Sequence, residues 1–108
     1  MPYQAKSSAT FKENIIRLTQ MIPFGKVTTY GTLAILAGKP RASRIVGGVL
    51  HNCKKDLPWY RVINRHGFIS IKCFDHPKSF QKGLLEAEGI EVSKDFMIDL
   101  GKYGWWGK

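Results

Sequence analysis

The 108-residue chain contains no run near the roughly 18 consecutive apolar residues that a membrane span requires. Its first residues lack the apolar stretch of a secretory signal. The expected location is therefore cytoplasmic, with the nucleoid as the place of work and no membrane partner. Cysteine is scarce as well: Cys53 and Cys73 are too few for a disulfide framework, although one bridge stays open and reduced thiols are the default. Cys53, Cys73, His51, His66 and His76 show none of the paired short spacings of a zinc site, so no metal or cofactor is expected. Acidic side chains are the third shortage, eight against 17 Lys and Arg, which gives a formal net charge of +9.

That surplus is uneven. Residues 1–82 hold 14 Lys and Arg against Glu13, Asp56 and Asp75, whereas residues 83–108 hold three Lys against five acidic residues. A polyanion would meet the first three quarters of the chain, and nucleic acid is the natural one because neutralising phosphates releases counterions. A merely soluble basic protein is the plainer alternative. With 44% hydrophobic and 23% charged residues the composition is that of an ordinary globule. At this length one domain is expected, spanning 10–108 behind a mobile tail at 1–9 that carries no apolar period.

Thr10 with Glu13 forms a capping-box pattern, and Phe11, Ile15, Leu18 and Ile22 recur at helical spacing, which predicts a helix over 11–22. Pro23-Phe24-Gly25 ends it. Thr29 can cap a second helix from Tyr30 to Gly38, and a third is predicted from Ala42 to His51 with Ile45, Val46, Val49 and Leu50 on one face. Two helices joined this way match a helix-turn-helix. Gly47 and Gly48 lie inside the third, where each glycine costs roughly 0.5–1 kcal/mol relative to alanine. Either they allow tight packing in the core, or they make a flat surface that can enter a narrow groove.

Pro58-Trp59-Tyr60-Arg61-Val62-Ile63-Asn64 is the stretch around which the chain is organised: proline fixes φ, and an indole, a phenol and a guanidinium follow in succession. Such surfaces either fill a small core or receive a flat ligand such as a nucleobase. Val62-Ile63 and Phe68–Ile71, linked by Asn64-Arg65-His66-Gly67, read as a short hairpin or wing. A last helix is predicted over 77–88 through Phe80, Leu84 and Ala87, stopped at Gly89. Phe96, Ile98 and Leu100 alternate after it, and Tyr103, Trp105 and Trp106 close the chain as packing aromatics.

Together, Ile22-Pro23-Phe24-Gly25-Lys26-Val27-Thr28-Thr29-Tyr30-Gly31, Arg44-Ile45-Val46-Gly47-Gly48, the segment 58–64, Leu84-Leu85 and Glu88-Gly89 resemble the DNA-binding domain of O6-alkylguanine-DNA alkyltransferases, in consistent order over residues 11–90. The resemblance implies a mainly α fold with a small β-hairpin, a winged helix-turn-helix. In that family the signature is Pro-Cys-His-Arg-Val, and the Cys accepts the alkyl group from guanine. Here Trp59 stands at the Cys position and Tyr60 at the His position. The chain therefore resembles the alkyltransferase-like branch, which binds alkylated guanine without repairing it. Transfer requires a thiolate made by a neighbouring base, which neither indole nor phenol supplies.

The resemblance also implies roles. Tyr30 matches the tyrosine that turns the target phosphate, and Arg44 the arginine that fills the gap left by the flipped base. Lys26, Thr29, Arg41, Ser43, Gly47 and Gly48 complete the DNA-contacting set, with the third helix in the minor groove. Tyr30, Trp59, Tyr60, Val62, Ser70 and Lys72 are the expected alkylguanine pocket, Lys72 falling where alkyltransferases have a pocket tyrosine. Arg61 and Asn64 hold the framework, and Glu88 matches a glutamate that orients the missing His. The implied partners are duplex DNA bearing alkylated guanine and nucleotide excision repair proteins, met by a monomer. Two rivals stay open: a sequence-reading helix-turn-helix regulator, and an active transferase using Cys53 or Cys73.

Overall fold

In the computed structural model the described residues are 10–52, 56–69 and 78–107. The expected tail at 1–9, Cys53, Ser70, Lys72 and Cys73 lie outside them. The first helix, α1 (Phe11–Met21), opens on the anticipated capping box: the Glu13 amide donates to Thr10 Oγ1 and the Thr10 amide to Glu13 Oε1, each at 3.1 Å. Its inner face buries Ile15 and Leu18, and the extended conformation of Ile22 ahead of Pro23 stops it. Strand β1 (Thr28–Thr29) leads into α2 (Tyr30–Leu36), where Thr29 Oγ1 accepts from the Thr32 amide at 3.0 Å. Helix α3 (Ser43–Asn52) packs against both earlier helices.

A 3-10 turn at Trp59–Arg61 runs into β2 (Val62–Ile63), followed by α4 (Lys78–Glu86) and the short α5 (Leu100–Tyr103). The four expected helices are present in the expected order, with ends differing by one or two residues as frayed termini do; the short α5 is additional and begins at Leu100, the end of the stretch that alternates in the sequence. Strand β2 pairs in parallel with β1, Thr28 opposite Val62 and Thr29 opposite Ile63. Successive strand residues face opposite sides. Val62 accordingly joins the cluster of α1, α2 and α3 that includes Ile15, Leu33 and Val46, while Ile63 joins a second cluster with Val27, Ile69, Leu85, Ile90 and Tyr103. Two residues of strand thus tie together the two halves of the core.

The expected hairpin needs correction. Its turn forms: Asn64 Oδ1 accepts from the His66 and Phe68 amides, both at 3.0 Å, and Gly67 takes φ 85°. Among the described residues β2 pairs with β1 and Phe68 forms an antiparallel bridge to Met97, while the rest of the expected second strand, residues 70–71, lies outside them. Alternating apolar residues specify a face but not a partner, and the parallel β1 is the longer-range choice. The buried face of α4 also differs, being Gln81 and Leu85 in place of Phe80, Leu84 and Ala87. On α3, Val46 and Leu50 are buried as expected, but Ile45 is 55% exposed. Of the closing aromatics, Tyr103 and Trp105 are buried and Trp106 is exposed.

Gly67 is under two constraints, since its positive φ is unfavourable for any side chain and an added Cβ would lie 2.7 Å from the Ile98 carbonyl oxygen. Gly67→Ala is expected to destabilise the protein by about 1–3 kcal/mol, read as a lowered urea midpoint at unchanged m-value.

Candidate nucleic-acid interface

The helix pair presents its cations outward. Arg41, Ser43, Arg44 and Gly48 are exposed on and before the first turns of α3, and Lys26 is exposed on the turn ahead of β1, where its Nζ donates to the Lys102 carbonyl at 3.4 Å. Tyr30 starts α2 and half-buries its ring; burial raises the phenol's pKa, so it remains neutral and able to donate. An added Cβ at Gly47 would sit 4.0 Å from Tyr30 Cε1, an ordinary contact, and one at Gly48 would meet nothing within 4 Å. No packing inside the described residues requires either glycine. Gly48 is exposed and Gly47 half-buried beside Tyr30, so the core-packing reading finds no support at either. Thr29 is different: it is 5% exposed, and its hydroxyl is engaged with the Thr32 amide and Thr32 Oγ1. The structure places it as the cap of α2, away from the surface.

The second part of the site is aromatic. Trp59 and Tyr30 both pack at the rim of the first core cluster. The Tyr60 ring meets the Trp59 indole edge-on, with centroids 5.8 Å apart at 86°, and Phe80 lies parallel to the indole, 6.3 Å away at 5°. Phe80 was missed in the sequence because its helical spacing assigned it to the core, whereas it is 46% exposed. Gln81, also missed, is 1% exposed and donates Nε2 to the carbonyls of Tyr60 at 2.8 Å and Val62 at 3.2 Å, fastening α4 to the segment that carries Trp59. Val62 is fully buried and supports the site from the core side.

Behind the aromatics sits a charged hub. Arg61 donates Nε and Nη2 to the Glu88 carboxylate, at 2.9 and 2.7 Å, and Nη1 to the Ile22 carbonyl at 2.8 Å. Glu88 also accepts from the Gly25 amide at 2.9 Å. Burial alone would raise the Glu88 pKa, but the hydrogen bonds from Arg61 and Gly25, the neighbouring Tyr60 phenol and the charge of Arg61 outweigh it and leave it lowered. Tyr60 is pushed the other way, by burial and then by the neighbouring Glu88, with Arg61 opposing. A phenol so placed is a donor, not a base at neutral pH. Glu88, read from the sequence as having no His to orient, thus orients Arg61.

A helix-turn-helix with outward arginines, a glycine pair and an adjoining aromatic corner defines a DNA-recognition domain of the alkyltransferase type. The family description "6-O-methylguanine DNA methyltransferase, DNA binding domain" matches residues 10–90, and the chain belongs to that family. The DNA base-flipping protein of Escherichia coli is 47% identical over 98 residues, covering 89% of this chain and 74% of the relative. Alkyltransferase-like protein 1 of Schizosaccharomyces pombe is 37% identical over 90 residues, covering 78% of this chain and 83% of the relative. The crystal structure of the S. pombe protein in complex with damaged DNA containing O6-carboxymethylguanine superposes with a TM-score of 0.81 at 34% identity, over 88% of this chain and 94% of that one. The winged helix-turn-helix class read from the sequence is thereby established, and within the family the chain sits with its alkyltransferase-like members.

The hub gives stability a defined pH dependence. A carboxylate whose folded pKa is depressed stabilises fully above its unfolded value of about 4.3, and that contribution disappears as pH falls through the folded pKa. Glu88→Gln is expected to cost roughly 1–3 kcal/mol at neutral pH. In urea titrations from neutral pH to about pH 3, the gap between parent and variant should narrow below the ordinary carboxylate range.

Proposed function

We propose that the protein binds duplex DNA containing O6-alkylguanine, swings the damaged base out of the stack toward Trp59, and releases it unaltered. The observation that carries this reading is Trp59 itself: an indole occupies the position of the acceptor cysteine in the signature, held between the Tyr60 edge and the Phe80 face. The neighbouring position offers a phenol with a raised pKa and not a histidine. Neither group can make or be the nucleophile that removes an alkyl substituent. The names of the E. coli and S. pombe relatives, and the damaged DNA bound in the S. pombe crystal structure, support the same ligand.

Docking begins with charge. Lys26, Arg41 and Arg44, with Ser43 and the helix α2 that Thr29 caps, meet the phosphates and draw the duplex in. Helix α3 then approaches the minor groove along the face where Gly47 and Gly48 permit close contact, and Tyr30 turns the phosphate of the target nucleotide. Unstacking costs a few kcal/mol, less for a base that already pairs poorly. Insertion of Arg44 into the vacated space and stacking in the pocket offset that cost. The pocket includes Tyr30, Trp59 and Tyr60, with Val62 behind them and Ser70 and Lys72 as further members outside the described residues. A monomer of one domain over 10–108 suffices for this. Without a covalent step to end the encounter, the output is a persistent distorted complex for nucleotide excision repair proteins to find, within the cytoplasm at the nucleoid.

Competition binding with matched duplexes, one containing O6-methylguanine and one plain, tests the ligand, and intact mass after incubation tests the absence of transfer. Indifference to the lesion, or a mass gain on either Cys53 or Cys73, would sink the proposal. Arg44→Ala is expected to lose most of the preference for the alkylated duplex, about tenfold, whereas Lys26→Ala weakens both duplexes about equally and lowers the salt slope by roughly one unit. Equal discrimination by the Arg44 variant would remove its wedge role. Trp59→Cys alone is expected to remain inactive in methyl transfer, because Tyr60 cannot take the thiol proton near pH 7; rapid transfer would show that another base serves.

A further inference from the structure

Phe80 is an expensive residue to leave in water. It lies on α4 next to the buried Gln81, is 46% exposed, and belongs to neither core cluster. Its ring nonetheless lies parallel to the Trp59 indole at 5° and 6.3 Å, within the range of offset aromatic stacks. The position is fixed from below, because Gln81 bonds the carbonyls of Tyr60 and Val62 on the segment that carries the indole. Tyr60 meets the indole edge-on from another side. Among the described residues three rings therefore form a corner, of which Phe80 supplies the part on α4.

Resting on the lesion-binding reading above, we propose that Phe80 is a second aromatic wall of the pocket: it sets the plane of Trp59 and presents its own face to the substituent on O6. The Phe80 ring carries no group that reads the hydrogen-bonding edge of a base. What the pair offers is flat, polarizable apolar surface, which rewards a base plane and the hydrocarbon attached to it. Discrimination then grows with the apolar area of the substituent, and a benzyl group depends on Phe80 more than a methyl group does. Phe80 is thus a specificity-determining residue that acts by contact with the alkyl group and by positioning Trp59.

Equilibrium binding to three matched duplexes, containing guanine, O6-methylguanine or O6-benzylguanine, tests this with the full chain and with Phe80→Ala, Phe80→Leu and Phe80→Tyr. Phe80→Ala is expected to bind the plain duplex within about twofold of the parent and to lose about five- to tenfold of its preference for the benzyl lesion, with a smaller loss for methyl. Phe80→Leu keeps apolar bulk without a ring and should lose the preference similarly; Phe80→Tyr should retain it. A merely structural role would lower the midpoint of unfolding and weaken all three duplexes together, and that pattern overturns the proposal. So does an unchanged benzyl preference in Phe80→Ala, or in Phe80→Leu should the alanine variant fold poorly. A parent with no lesion preference defeats the lesion-binding reading itself, whereas a discriminating parent beside an equally discriminating Phe80 variant defeats only the role of Phe80.

Discussion

The Glu88 carboxylate joins segments that are far apart in the chain. It accepts from the Gly25 amide in the turn after α1 and from the Arg61 guanidinium, while Arg61 reaches back to the Ile22 carbonyl. The side chains of Arg61 and Glu88 are 14% and 6% exposed, so the pair is shielded enough for its attraction to matter and polar enough around it to be satisfied. Removing one partner of such a pair leaves an uncompensated charge, which is why the hub behaves as a constraint and not as an ornament of the surface.

What the hub constrains is the relation between two structures that have different tasks. On one side the turn at residues 23–25 leads through β1 into α2, and so sets where Tyr30 and the following helix begin. On the other, Tyr60 and Arg61 follow Trp59 directly. The parallel pairing of Thr28–Thr29 with Val62–Ile63 makes the same connection through the backbone. On the proposed reading this matters because flipping requires the groove-facing helix and the base pocket to be held in register while DNA is deformed between them. Gln81 adds a third fastening by bonding α4 to the carbonyls of Tyr60 and Val62.

On the proposed reading Trp59 and Tyr60 stand where the family signature has cysteine and histidine, and the framework around them holds without that pair. Glu88 is held by Gly25 and Arg61, and the neighbouring Tyr60 phenol has its pKa moved away from neutrality. A scaffold suited to placing a reactive sulfur is equally suited to placing an inert indole. The proposed change from transfer to recognition therefore needs no rebuilding of the fold, only a loss of nucleophilicity at one position and a gain of flat surface there.

Local signals were legible in the sequence because their physics is local. The Thr10–Glu13 capping box, the Thr29 cap, the proline stop after Ile22, the turn at Asn64–Gly67 and the outward Arg41 and Arg44 each depend on residues within one or two turns of each other. The motif order was enough to indicate the family. Strand partnership was not legible: Val62-Ile63 alternates suitably for a hairpin, yet its partner is Thr28-Thr29, 34 residues earlier in the register. Nor was the rotation of α4, which turns Phe80 out of the core and onto Trp59, nor the donors that gather on Glu88. Those depend on which distant surfaces meet, and a side chain's spacing along its own helix does not carry that information.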